Sequence, residues 1–100
     1  MWQSPSLGSG QTWKSVAKTL GTTYTNTGSK PIVVAPQAVA GGAQSYCVLL
    51  VYVNGLLVSY NNTGGLNYSQ VLQPQVIVPP GTTYMAQATQ CWLNAWNELS

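Results

Sequence analysis

Tyr60, Asn61, Asn62, Asn67 and Tyr68 place two phenol rings and three carboxamides in one short stretch. That combination suits a carbohydrate: ring faces take the C–H groups of a sugar, and amides take its hydroxyls. A receptor-binding loop is therefore expected here. The same residues also read as a solvated Asn/Gly loop whose rings pack inward, and both readings stand at this stage. Gly41 to Gln44 forms a second candidate loop with weaker chemistry.

The rest of the chain offers little reactive chemistry. Among its 100 residues the only charged side chains are Lys14, Lys18, Lys30 and Glu98, and His, Asp and Arg are missing. A metal centre draws on clustered His, Cys, Asp or Glu. A glycosidase needs two carboxylates, and a general base must titrate near its task. Two cysteines without a histidine lack the usual activator of a thiolate nucleophile. The chain is expected to be no enzyme, with no catalytic residue, metal ligand or cofactor of its own. Only a site shared between subunits escapes that inventory.

The net charge of +2 comes from three lysines, without the clustered Lys and Arg that phosphates require. No nucleic-acid partner is expected. Without histidine there is no side chain whose ordinary pKa lies between pH 5 and 8. The most apolar window, Tyr46 to Tyr60, is too short for a membrane helix and is broken by Asn54-Gly55, so no membrane insertion is expected. The first ten residues carry no basic residue and no apolar run, unlike a secretory signal. Without such a signal, the acceptor patterns at Asn61-Asn62-Thr63 and Asn67-Tyr68-Ser69 carry no weight.

β-branched and aromatic residues, punctuated by Gly and Pro, predict an all-β chain: a small antiparallel, jelly-roll-like β-sandwich. Residues 1–9 read as a linker or tail and 10–100 as one domain. Strands are expected over Gln11–Ala17, Thr22–Thr27, Ile32–Val39, Ser45–Val53, Leu56–Tyr60, Val71–Val78 and Tyr84–Ala88. Pro36 marks an edge, a bulge or a break, and Pro74 interrupts its strand. Asn54-Gly55 supplies the two positive-φ positions of a type I′ hairpin turn. Pro79-Pro80-Gly81-Thr82 is a second turn. Cys91 to Leu99 reads as strand or helix, with Trp92 and Trp96 on one face in either case.

The strand before Asn54 is apolar on both sides: Tyr46, Val48, Leu50 and Tyr52 on one, Cys47, Leu49, Val51 and Val53 on the other. One side fills the core. The other needs a cover, whether a second element, a loop over a central barrel strand, or another subunit. Trp13, Tyr24, Trp92 and Trp96 are expected to join Cys47, Leu49, Val51 and Val53 as core or interface residues.

Three blocks resemble one known family. They are Gly10-Gln11-Thr12-Trp13 with Gly21-Thr22-Thr23-Tyr24-Thr25-Asn26-Thr27 and Lys30-Pro31-Ile32, then Val53-Asn54-Gly55, then Val78 to Tyr84 with Trp96-Asn97-Glu98-Leu99. Their order and spacing resemble the distal domain of bacteriophage tail fibres and cover most of residues 10–99. The resemblance implies a homotrimeric β-sandwich in a virion, made in the host cytoplasm. Its implied partners are other virion or tail proteins and a bacterial surface glycan or outer-membrane component. The alternative is a trimeric cap or capsid decoration that binds no receptor, and a free sugar-binding module is a third reading. Assembly in a cytoplasm favours two buried free thiols at Cys47 and Cys91 over a bond between them.

Overall fold

The computed structural model describes residues 8, 10–40, 47–62 and 71–100. Their regular elements are all strands: β1 (Trp13–Ser15), β2 (Tyr24–Thr25), β3 (Ile32–Ala40), β4 (Val48–Val53), β5 (Leu56–Asn62), β6 (Val71–Leu72), β7 (Val76–Val78), β8 (Thr83–Thr89) and β9 (Cys91–Leu99). They form two antiparallel sheets. The first, the terminal sheet, runs β1-β9-β3, with β6 and β7 sharing the far edge of β3. The second, the hairpin sheet, runs β2-β8-β4-β5.

Strand parity explains how the sheets meet. Successive side chains on a strand face opposite ways. From β4 the residues Leu49, Val51 and Val53 turn inward, from β8 Tyr84 and Ala86, from β3 Ile32, Val34 and Ala38, and all are buried. Trp96 joins them from β9, and Tyr24 packs against this core from β2. Tyr24, Tyr84 and Trp96 form an aromatic cluster, with ring centroids 5.8–6.4 Å apart.

The turns follow their residues. Asn54 and Gly55 both take positive φ, 54° and 76°, and close the β4–β5 hairpin. Gly81, at φ 73°, turns the chain from β7 into β8. Pro36 neither ends nor bulges β3. It pairs with Trp96 on one side, while on the other β7 meets only Ile32–Val34 and β6 only Ala38–Val39. The proline thus lies opposite a gap in the neighbouring edge, where Pro74 stands. Gln73 reaches into that gap and donates from Nε2 to the Ala35 carbonyl at 3.4 Å.

Two expectations need correction. Cys91–Leu99 is a strand, but Trp92 and Trp96 do not share a face. Gln37 pairs with Ala95 and Ala38 with Leu93, which leaves Asn94 as an extra residue in β9. This bulge flips the alternation. Trp96 is therefore 2% exposed, and Trp92 is 55% exposed on the outer face. The second correction concerns the thiols: Cys47 and Cys91 are bonded to each other, not free. Cys47 precedes β4 and Cys91 opens β9, just after Gln90 (φ 59°) carries the chain from one sheet to the other. Their Cα atoms stand 5.2 Å apart, within disulfide reach.

Candidate functional site

Of the five residues expected to bind a receptor, Tyr60 lies in β5, as the expected strand had it, and Asn61 and Asn62 continue that strand instead of opening a loop. Pairing of Val48 with Asn62 carries the strand past the expected end at Tyr60. Asn67 and Tyr68 lie outside the described residues, as do Gly41 to Gln44. Asn61 turns toward the interior, and its Nδ2 donates to Ser59 Oγ at 2.8 Å and to the Leu49 carbonyl at 3.4 Å. Tyr60 and Asn62 are exposed. Asn61 thus turns away from the outer face that Tyr60 and Asn62 share.

Tyr60 instead belongs to an apolar surface. It pairs with Leu50, and Leu57 pairs with Tyr52. On the other side of β4, Met85 pairs with Tyr52. Parity puts all five side chains on the outer face of the hairpin sheet. Leu57 and Tyr60 are exposed, and Leu50, Tyr52 and Met85 half-buried. At the margin, β5 pairs only with β4 among the described residues. Leu56 and Val58 are exposed along that edge strand.

A second site holds nearly all the charge. Lys18, Lys30 and Glu98, three of the four charged side chains, line an open cleft of about 470 Å3 together with Tyr84, Asn26 and Gln11. The fourth, Lys14, donates to the carbonyl of Ser100 at 3.1 Å. Glu98 is buried because it follows Trp96 by two on a strand and shares its inward face. Its Oε2 accepts from Tyr84 Oη and from Trp96 Nε1, each at 3.0 Å. Burial, followed by the neighbouring Glu98 charge, pushes the Tyr84 phenol well above its ordinary pKa. Tyr24 shifts the other way, lowered first by hydrogen bonds from Thr19. Lys18 Nζ stands 4.1 Å from the centre of the Tyr24 ring.

This cleft is a brace. Asn26, also buried, donates from Nδ2 to the carbonyls of Lys30 (2.8 Å) and Val78 (3.1 Å) and accepts from Gly28 N. Its backbone bonds Thr82 and Gly81. Asn26 therefore ties the β2–β3 turn to the β7–β8 corner. Glu98 joins the sheets through Tyr84. Hydrolysis by paired carboxylates has no second partner here, since Glu98 is the only carboxylate side chain in the sequence. Sequence reading passed over Glu98. The available signal was its two-residue spacing from Trp96, which places a carboxylate inside wherever that tryptophan is core.

The remaining expected core or interface residues divide cleanly. Cys47, Leu49, Val51, Val53 and Trp96 are buried, and Tyr24 is half-buried beside them. Trp13 is 50% exposed, on the same outer face as Trp92. No protein-family model matches this chain, and no curated protein and no solved structure shows significant similarity to it.

Proposed function

We propose that the chain is a non-enzymatic, homotrimeric virion module: the distal domain of a bacteriophage tail fibre, which adsorbs to a bacterial surface. One observation carries this reading. The outer face of the hairpin sheet is apolar from Met85 through Tyr52 and Leu50 to Leu57 and Tyr60, and it runs into β5, which among the described residues pairs only with β4. Monomeric proteins rarely expose contiguous apolar patches larger than a few hundred Å2. Copies arranged about a symmetry axis cover such a face and protect its edge. Tyr60 is then a contact between copies.

The sequence supplies the setting. The resemblance of its three motif blocks to tail fibre tips points to a virion and to a bacterial glycan or outer-membrane component as partner. A surface so poor in charge repels its neighbours little, which a large particle tolerates better than a free protein. The lone carboxylate argues for binding rather than catalysis.

Light scattering after size exclusion tests the assembly: the expected mass is three times the 10.6 kDa of one chain. A stable monomer or dimer at micromolar concentration sinks the trimer. Electron microscopy of particles labelled with an antibody to this domain should mark the tail tip. Label confined to the capsid would replace the receptor reading with a decoration role.

A further inference from the structure

The outer face of the terminal sheet carries a pattern that neither the trimer nor the cleft uses. Register places Trp13, Leu99, Val33 and Ile77 in one row across β1, β9, β3 and β7. A second row, Trp92, Val39 and Val71, crosses β9, β3 and β6. Trp13 and Ile77 are exposed at the ends of the first row, and Trp92 and Val71 at those of the second. The indoles stand roughly 20 Å apart, from the seven-residue run of β9 between the rows at about 3.3 Å per residue.

Between the rows lies a band of amides and small residues. Asn94 Nδ2 donates to Gln37 Oε1, and Gln37 Nε2 to Gln73 Oε1 at 3.3 Å. Gln73 Nε2 closes the ladder on the Ala35 carbonyl. The bulge that exposes Trp92 also supplies Asn94 to this ladder. A primary amide has two N–H donors and two acceptor sites, so each of the three keeps unused capacity. Parity leaves the face without formal charge, because Lys14 and Glu98 pair on the opposite side of their strands and Lys18 and Lys30 line the cleft.

We propose that this face binds a neutral polysaccharide chain, laid across the amide ladder with sugar rings stacked on Trp92 and Trp13. The inference rests on the adsorption reading above and gives it a site and a ligand class. Hydroxyls match the amides, and the C–H faces of pyranose rings match the indoles. The absence of charge favours a neutral glycan over an acidic one. A second copy of this chain suits the face less well. A flat apolar partner would strip water from the amides without replacing their bonds.

The experiment exposes the recombinant protein to an array of neutral and acidic bacterial surface polysaccharides. Retention of at least one neutral polysaccharide is expected, unchanged between 50 and 500 mM salt. Trp92→Ala should lower that binding at least tenfold, and Gln37→Leu several-fold, with the native mass and circular-dichroism spectrum retained. Retention of acidic polysaccharides alone, retention of none, or equal binding by Trp92→Ala overturns the proposal. A trimer that dissociates on Trp92→Lys makes this face the contact between copies: the glycan site then falls and the trimer stands. A monomer that still binds neutral glycan through Trp92 gives the reverse result.

Discussion

Both sheets carry apolar side chains on their outer faces, but in different layouts. On the hairpin sheet the apolar side chains are contiguous, from Met85 through Tyr52 to Leu57, with Tyr60 beside Leu50. On the terminal sheet they form two rows separated by Gln37, Gln73 and Asn94. Hydrophobic content alone therefore does not identify what covers a face. A contiguous patch gains from any apolar partner at about 25 cal/mol per Å2. A banded face loses about 1–3 kcal/mol for each amide left unpaired, which selects a partner that carries its own hydroxyls.

The largest effect should come from removing the support common to both faces. Trp96→Ala should cost about 3–5 kcal/mol of folding stability, the usual loss for a buried large aromatic. Oligomer formation and glycan retention should weaken together in denaturant titrations. If one activity outlasts the other, the two faces do not depend on a single core.

Tyr84→Phe cuts one tie between the sheets, the bond to Glu98, while keeping the ring. Losing a hydrogen bond to a carboxylate should cost about 1–3 kcal/mol at neutral pH. The variant also tests the alkaline limb. The folded phenol has a raised pKa, so its contribution is complete below the unfolded value of about 10 and is lost as pH climbs toward the folded one. Tyr24, with a lowered pKa, acts in the opposite direction. Thermal melts from pH 7 to 11 should therefore fall less steeply for Tyr84→Phe than for the parent. Parallel curves would remove Tyr84 from the pH response.

The smallest change in chain stability, about 0.5 kcal/mol or less, should come from a charge on either surface. These variants separate the faces most sharply. Leu57→Lys should yield monomers by light scattering, whereas Ile77→Lys should leave the assembly intact. The opposite outcome would exchange the roles of the two faces.

Local chemistry was legible in the sequence. Asn54-Gly55 announced the hairpin, Pro80-Gly81 the corner, and the alternation in Cys47–Val53 the inward side of β4. These signals act within a few residues. The bulge at Asn94 arises from the register between β3 and β9, so no spacing rule applied to Trp92 and Trp96 could show them parting. The bond between Cys47 and Cys91 depends on where β8 leaves one sheet for the other. Asn61 and Asn62 looked like loop residues because their composition suits one, yet pairing with β4 holds them in a strand. Rings and amides also meet on the terminal sheet, with Trp13 from β1, Trp92 and Asn94 from β9, Gln37 from β3 and Gln73 from the segment between β6 and β7, a grouping that only the register between strands creates.

Two of the ties between the sheets stand at opposite ends of the strands: the disulfide where β4 and β9 begin, and the Tyr84–Glu98 bond near the end of β9. The consequence is mechanical. A tug on the chain at Gln11 loads β1, which passes the force to β9, its sheet partner. From β9 the load divides. Part is sheared into β3 through the ladder of the terminal sheet, and part crosses covalently to β4 and the hairpin sheet. Peeling the layers apart must then break a covalent bond at one end and unseat a buried carboxylate at the other. A domain laced in this way can be hauled against an anchored surface as one body.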